Sequence, residues 1–258
     1  MPADLAVVIP ARNEAERIGA TVKAALSLAG ADIVVVVDDG STDRTAAVAA
    51  GAGARVFRHA RNRGKAAAIE TGAEVVRLLE SGPAAAGGAP HHLLFLDADL
   101  GETAAEAGPL AEPVRDGTAD MTIAVFSNRV RKGGFGIVTG ASGAGIERAT
   151  GWRPAQPLNG QRCLTRAAFQ AALPLAAGWG IETGMTIDLI RRGLRVTEVG
   201  VPLAHRATGS DWQAQLHRAR QLAGVARALA VREPTIVRAR RARARRAAER
   251  RAARAAGG

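Results

Sequence analysis

The segment Leu93–Leu100 (LLFLDADL) constrains the fold more than any other part of the chain. Its four leading apolar residues are too few for a helix, and such a run predicts a strand buried on both faces, as in a parallel sheet. An ionised carboxylate is costly to bury without a partner. Asp97 and Asp99 should therefore lie at the carboxyl end of this strand, where ligands bind in open α/β sheets.

The two aspartates also predict a metal site. Side chains at positions i and i+2 of an extended segment point the same way, so Asp97 and Asp99 should lie side by side. Two ionised carboxylates in that arrangement repel each other unless a cation lies between them, and their oxygen atoms suit Mg²⁺ or Mn²⁺. A solvated Asp-x-Asp turn without a metal is the alternative.

Three further apolar runs precede this strand, and helical patterns separate them. The predicted strands are Leu5–Ile9, Asp32–Val37 and Arg55–Phe57, and the predicted helices cover about residues 16–29, 43–51 and 66–80. This alternation predicts βαβ units and an α/β fold with a mostly parallel sheet. Since right-handed crossovers bring the strand ends to one edge, three polar turns should converge there: Arg12–Glu14, Asp38–Asp43 and Asp97–Asp99.

The pattern loosens after Leu100. The segment Ser127–Gly145 is rich in glycine and basic residues, which favours a loop, and we interpret it as a mobile lid over the site. Residues 212–255 have a largely helical pattern. Elsewhere in this half we predict strands at Asp120–Val125 and Arg195–Val201, and helices at Ala105–Val114, Ala167–Leu173 and Met185–Arg192.

Cysteine content, hydropathy and charge narrow the class of protein. Among 258 residues Cys163 is the only cysteine, which excludes a disulfide framework. No stretch approaches the ~20 apolar residues of a membrane span, and the N-terminus has no signal-peptide pattern, so we expect a cytoplasmic protein. Most of the net charge of +11 lies in residues 232–258, which contain ten arginines and two acidic residues, Glu233 and Glu249. We therefore expect one domain at residues 1–231 and a basic tail at 232–258.

Six segments, in series and at plausible spacing, resemble the family 2-like glycosyltransferases of the GT-A fold. Within that family the chain is similar to the polyprenyl-phosphate sugar transferases and, in its second half, to the glucosyl-3-phosphoglycerate synthases. The resemblance implies a GT-A-type, Rossmann-like fold and metal-dependent transfer of a sugar from a nucleotide-diphosphate sugar. The segments are VVIPARNEAERI, VVVDDGSTDRT, NRGKAAAIETG, LLFLDADL, PLNGQRCLTR and GWGIETGMTIDLIRRGLRVTEVGVPLAHR.

The resemblance also implies roles for residues of the donor site. Asp39 would accept a hydrogen bond from the base, while its neighbour Asp38 has capping of the following helix as an alternative role. Lys65 would face a phosphate, the alternative being a solvated lysine at a helix start. The residues that would line the base and the ribose are Pro10, Arg12 and Glu14.

The implied metal shell consists of Asp97, Asp99 and His205, with Asp97 also contacting the nucleotide sugar. A divalent ion bridging the diphosphate would neutralise the charge of the departing nucleoside diphosphate. For His205 an ordinary role as a surface or core histidine at a strand end is the alternative.

Two residues are implied on the acceptor side. Glu182 would act as a base or bind an acceptor hydroxyl, although a glutamate in the first turn of a helix also interacts favourably with the helix dipole. Arg162 would lie near the acceptor or the diphosphate. The expected acceptor is either a polyprenyl phosphate or a small phosphorylated or hydroxy acid. The choice between them stays open, because Asn159-Gly160 departs from the Ser-Gly common in polyprenyl transferases.

Two other functions compete with glycosyl transfer. A nucleotidyltransferase shares the α/β plan but usually has a glycine-rich loop after the first strand, and Ala11–Glu14 contains no glycine. A nucleic-acid-binding protein is suggested by the tail, but the modest charge of the domain argues against it. The tail could also be an electrostatic anchor to an anionic membrane, where each arginine would contribute ~1 kcal/mol. The alternative is a solvated, partly helical extension.

Overall fold

The computed structural model describes residues 4–82, 89–126, 135–203 and 221–232. In these residues, helices cover both faces of a seven-stranded sheet. The strands are β1 (Leu5–Ala11), β2 (Ala31–Asp38), β3 (Arg55–Arg58), β4 (His92–Phe95), β5 (Met121–Phe126), β6 (Arg162–Leu164) and β7 (Val196–Val201). The helices are α1 (Ile18–Leu26), α2 (Thr45–Gly51), α3 (Lys65–Glu80), α4 (Glu112–Arg115), α5 (Phe135–Thr150), α6 (Arg166–Ala172), α7 (Ile181–Arg191) and α8 (residues 221–232), with 3₁₀ segments at Gly101–Leu110 and Gly178–Gly180.

The sheet is mostly parallel, as the sequence predicts, with the strand order β3-β2-β1-β4-β6-β5-β7. Strand β6 runs antiparallel to both of its neighbours, β4 and β5. An antiparallel strand begins where its parallel neighbours end. The pairing of Phe95 with Arg162 therefore places the residues just before β6 beside the carboxyl end of β4.

The hydrophobic core lies on both faces of the sheet, and β1 divides it. Leu5, Val7 and Ile9 pack on one face with α1 and the first 3₁₀ segment. Ala6 and Val8 pack on the other face with α3, α6 and α7. All five side chains are completely buried. This two-sided burial explains why the strand has no polar alternation.

Helix α3 approaches the sheet closely at Gly72. A Cβ atom added there would lie 2.3 Å from Val8 Cγ1 and 3.3 Å from Val37 Cγ2, so the helix backbone itself contacts β1 and β2. The first residue of this helix is Lys65. The close approach therefore fixes how Lys65 is presented at the edge of the sheet where β1 and β2 end.

The predicted strands are confirmed, and the helices differ mainly at their ends. Residues 105–114 are the exception among the described elements, since they fall in a 3₁₀ segment and the short helix α4. Pro109 lies inside the 3₁₀ segment and Pro113 near the start of α4. Proline lacks the backbone N–H that a continuous α-helix needs, which accounts for the break.

The prediction of a loop over Ser127–Gly145 is wrong from residue 135 onward, where α5 begins. Residues 127–134 lie outside the described residues, so the lid stays a prediction. Gly145 of α5 permits close packing, since a Cβ atom there would lie 2.4 Å from Leu229 Cδ2 of α8. A Cβ atom on Gly140 would meet nothing within 4 Å among the described residues. Close helix packing therefore accounts for one of these glycines, although glycine in the sequence favours a loop.

The described C-terminal residues form α8, which packs beside α7. Arg232, the first residue of the predicted tail, is the last described residue of this helix and forms an ion pair with Asp188. Residues 233–258 lie outside the described residues, so the tail and its boundary stay predictions. No helix in the described ranges combines the length and the apolar character needed to cross a membrane.

We predict that Gly72→Ala lowers the free energy of unfolding by up to about 2 kcal/mol. The added methyl group overpacks the contact with Val8 at a cost of about 1–3 kcal/mol. The gain in helix propensity, about 1 kcal/mol, recovers only part of this cost. Gly51→Ala is the matched control, because a Cβ atom at Gly51 meets nothing within 4 Å in the described part of the chain. Urea unfolding of both variants checks the prediction, and equal stabilities would contradict it.

Candidate active site at the carboxyl edge of the sheet

The turns that follow β1 and β2 are joined by hydrogen bonds. The backbone N–H of Asn13 donates to Ser41 Oγ at 3.0 Å, and that of Glu14 donates to Thr45 Oγ1 at 2.9 Å. In return, Asn13 Oδ1 accepts from the backbone N–H of Thr42 at 2.9 Å. Asn13 has a φ of 55°, a left-handed conformation that asparagine tolerates better than most residues. The predicted convergence of these two turns is confirmed.

The turn after β4 is attached to the same edge through α1. Thr21 Oγ1 donates to the carbonyl of Ala98 at 2.9 Å and accepts from the backbone N–H of Gly101 at 2.8 Å. Arg17 Nη1 donates to the carbonyl of Asp99 at 3.1 Å. Arg17 and Thr21 therefore hold the backbone between the two aspartates and just after them.

Asp39 is nearly buried and is surrounded by hydrogen-bond donors. Its Oδ1 atom contacts His59 Nδ1 at 2.7 Å and accepts from the backbone N–H of Arg63 at 2.8 Å. Its Oδ2 atom accepts from the backbone N–H of Gly64 at 2.8 Å. Burial acts to raise the pKa of Asp39, but the hydrogen bonds from His59, Arg63 and Gly64 outweigh it, so the pKa is lowered. Asp39 is therefore an ionised acceptor.

His59 was missed by the sequence reasoning. It lies just after β3, is 4% exposed, and its Nε2 atom contacts Thr71 Oγ1 at 3.0 Å. Like Asp39, His59 is a polar residue that follows a predicted strand at the same edge of the sheet. Its position after β3 could therefore have identified it from the sequence.

Lys65 joins two carboxylates from distant parts of the chain. Its Nζ atom donates to Asp97 Oδ1 at 2.8 Å and to Glu182 Oε1 at 3.2 Å. Burial acts to lower the pKa of Lys65, but the negative charges of Asp97 and then Glu182 outweigh it, and the pKa is raised. Lys65 is therefore a fixed cation between two acids, and Gly64, with a φ of 91°, supplies the left-handed backbone conformation that starts its helix.

The other oxygen of Asp97 is also engaged. Gln161 Nε2 donates to Asp97 Oδ2 at 2.7 Å. Gly160 lies against the same group: a Cβ atom there would lie 2.5 Å from Lys65 Nζ and 3.1 Å from Asp97 Oδ1. A side chain at position 160 would push the lysine and the aspartate apart, so the Asn159-Gly160-Gln161 segment forms one wall of the site.

The structure places Arg162 next to Glu182, and its predicted role near the acceptor or the diphosphate stays a prediction. Its side chain is 2% exposed and donates to the carbonyls of Asn159 at 2.9 Å, Glu182 at 3.1 Å and Pro157 at 3.2 Å, and to Thr186 Oγ1 at 2.9 Å. Burial lowers the pKa of Arg162 to about 10. Within the described residues the guanidinium is therefore held by three backbone carbonyls and one hydroxyl. It supports Glu182 from behind.

The other predicted donor residues lie at the same edge. Pro10 is within β1, Arg12 is exposed just beyond it, and Glu14 follows in the turn. Asp38 is completely buried, accepts from the backbone N–H of Ser41 at 2.9 Å and lies 3.1 Å from Arg58 Nε, so it stabilises the turn locally.

The residues predicted to hold a metal are only partly described. Asp97 and Asp99 lie at the end of β4, whereas His205 lies outside the described residues. In the described ranges no group of three histidine, cysteine, aspartate or glutamate side chains is arranged to hold a metal ion. Two carboxylates nevertheless fit Mg²⁺ or Mn²⁺, because such ions are commonly held by one or two carboxylates together with substrate phosphates.

An acidic strand end, a lysine at a helix start and a buried aspartate lie together at one edge of an α/β sheet, the edge where ligands bind in such sheets. The model of the family "Glycosyl transferase family 2" matches residues 6–138, which is half of the chain, and the chain belongs to this family. The family resemblance read from the sequence is confirmed.

Two curated relatives illustrate the similarity. Glycosyltransferase AglJ of Haloferax volcanii is 30% identical over 214 residues, covering 81% of this chain and 66% of the relative. Glucosyl-3-phosphoglycerate synthase of Mycolicibacterium paratuberculosis is 29% identical over 204 residues, covering 73% of this chain and 60% of the relative. The chain thus spans just under two thirds of the length of these relatives.

Solved structures of glucosyl-3-phosphoglycerate synthase from Mycobacterium tuberculosis share the fold. The complex with Mn²⁺, uridine diphosphate and phosphoglyceric acid superposes with a TM-score of 0.68 at 26% identity, covering 89% of this chain and 78% of that chain. A complex with Mg²⁺ and uridine diphosphate gives a TM-score of 0.67 at 25% identity, covering 89% and 79%. The predicted GT-A-type fold is confirmed.

We predict that Arg162→Leu lowers the free energy of unfolding by about 3–5 kcal/mol, since it leaves several buried carbonyl oxygens without a donor. The matched control is Arg153→Leu, which removes an arginine that is 58% exposed and paired with Glu147. That change should cost less than about 1 kcal/mol. Urea unfolding measures both, and a wild-type stability for Arg162→Leu would contradict the prediction.

Proposed function

We propose that this protein transfers a sugar from a nucleoside-diphosphate sugar to a phosphate-bearing acceptor in a metal-dependent reaction. The observation that carries the proposal is the position of Lys65 between Asp97 and Glu182, at the edge where β1, β2 and β4 end. One cation and two acids from three elements provide groups for a diphosphate, a metal ion and an acceptor hydroxyl.

The donor half of the proposal rests on Asp39 and its neighbours. A carboxylate oxygen has two lone pairs, and Oδ2 of Asp39 accepts one described hydrogen bond, from Gly64. It retains capacity to accept from a base N–H. Pro10, Arg12 and Glu14 lie on the adjoining strand end and would line the base and the ribose. Uridine diphosphate in the similar solved structures supports a uracil nucleotide as the first probe.

The metal half rests on the D-x-D turn. Asp99 would hold Mg²⁺ or Mn²⁺, with Asp97 beside it and His205 as the further expected ligand. A bound divalent ion would supply charge neutralisation for the diphosphate leaving group. Lys65 contributes a second positive charge beside Asp97 and restricts the positions that the carboxylate can adopt.

The acceptor half rests on Glu182. This residue is 6% exposed, lies in the first turn of α7, and directs Oε1 toward Lys65. A carboxylate there can orient or deprotonate an acceptor hydroxyl. A polyprenyl phosphate and a small phosphorylated acid both remain candidate acceptors. Phosphoglyceric acid in the complex with the similar synthase supports the second.

We predict that uridine diphosphate with Mn²⁺ raises the melting temperature of the wild type and that Asp99→Asn removes the Mn²⁺-dependent part of this rise. A ligand at one hundred times its Kd stabilises the native state by about 2.7 kcal/mol. Asp116→Asn is the matched control, because Asp116 lies on an exposed turn and bonds to Thr118.

A chelator added to the wild type should also remove the Mn²⁺-dependent rise in melting temperature. The same chelator should not change the melting temperature of Asp99→Asn. Absence of stabilisation in the wild type, or an equal Mn²⁺ response in Asp99→Asn, would contradict the proposed metal-dependent donor site.

A further inference from the structure

We propose that Gln161 is a positioning residue that sets the orientation of the Asp97 carboxylate against Lys65. The inference rests on the proposed function, since it assigns a task to a residue of that site. Gln161 lies in the segment that resembles the family, but the resemblance implies no role for it.

The contact between Gln161 and Asp97 restrains rotation of the carboxylate. Gln161 Nε2 donates to Asp97 Oδ2 at 2.7 Å, while Lys65 Nζ donates to Oδ1 at 2.8 Å. Donors on the two separate oxygens fix the plane of the carboxylate, which a single donor does not. Because the glutamine is completely buried, its own conformation is restricted by packing.

The second polar atom of Gln161 argues against a role in stability. Its Oε1 atom is buried and accepts no hydrogen bond from any residue in the described ranges. Such a group destabilises the native state, whereas an apolar side chain of similar shape would avoid the cost. A glutamine at this position is therefore explained by what its N–H donor does for Asp97.

The backbone around Gln161 is rigid enough for this task. Its N–H donates to Asn159 Oδ1 at 2.9 Å, and its carbonyl accepts from the backbone N–H of Ala124 at 3.0 Å. The next residue, Arg162, holds the carbonyl of Glu182. Gln161 and Arg162 thus restrain the two acids that contact Lys65. Gln161 bonds to the side chain of Asp97, and Arg162 bonds to the backbone carbonyl of Glu182.

An amide is also the appropriate chemical group for this position. It donates a hydrogen bond without adding charge, so Asp97 retains its negative charge for the donor sugar and the metal. A basic residue here would compete with that function, and an acidic residue would repel Asp97.

The test is a comparison of Gln161→Leu with the wild type in two measurements. Isothermal titration with Mn²⁺ and uridine diphosphate should show a dissociation constant about 10- to 100-fold higher for the variant, the effect of losing one hydrogen bond to a charged group. Urea unfolding should show a midpoint close to that of the wild type, since the variant also removes the unpaired Oε1 atom. Gln170→Leu, an exposed glutamine on α6, is the matched control and should change neither measurement.

A double-mutant cycle separates positioning from a general packing effect. In an Asp97→Asn background, Gln161→Leu should weaken nucleotide binding by less than about threefold, because the carboxylate that Gln161 positions is already absent. A loss as large as in the wild-type background would overturn the proposal, as would unchanged binding by Gln161→Leu. If Gln161→Leu does not fold, Gln161→Met takes its place, and failure of both to fold would make the residue structural and overturn the proposal.

The outcome for the wild type distinguishes this inference from the proposed function. If the wild type does not bind Mn²⁺ with uridine diphosphate, the proposed function fails and this inference fails with it. If the wild type binds and Gln161→Leu binds equally well, the inference alone is overturned.

Discussion

The site depends on one interaction, the contact of Lys65 with Asp97 and Glu182. Two carboxylates near each other in a partly buried site repel, and the lysine between them offsets this repulsion. With the lysine present, the end of β4 and the start of α7 are held at the start of α3. The same pairing places a positive and two negative groups where a charged donor can be bound. Folding and proposed chemistry therefore rely on the same three side chains.

The sheet topology explains how these residues meet. Parallel strands bring Asp39 and Asp97 to one edge, and helices that begin at that edge supply Lys65 and Glu182. The antiparallel β6 adds a segment that starts there, so Gln161 can reach Asp97. Arg162 and α8 then support α7 from behind, through the carbonyl of Glu182 and through Asp188 respectively. Close helix packing at Gly72 and Gly145 keeps these elements in place.

The sequence predicted the parts of this arrangement that depend on local pattern. Buried parallel strands are apolar runs, and the acids that end them cannot be buried, so β1, β2 and β4 and their turns were predictable. The partnership of Lys65 with Glu182 spans 117 residues and follows from packing that no local pattern records. The buried hydrogen bonds of Arg162 were not predictable, because burial of a charged residue is not visible in sequence. The loop predicted over part of α5 was wrong for a similar reason, because glycine is common both in flexible loops and at close helix contacts such as Gly145.

The most direct test of this account is a double-mutant cycle between Lys65→Met and Glu182→Gln, measured by urea unfolding. We expect a coupling energy of about 1–3 kcal/mol, because either change alone leaves the opposite charge of the pair without its partner. The control cycle combines Lys65→Met with Glu74→Gln, a carboxylate on the same helix that pairs with Arg77. It should be additive within about 0.5 kcal/mol. Additivity in the Lys65–Glu182 cycle as well would contradict the claim that this contact organises the site.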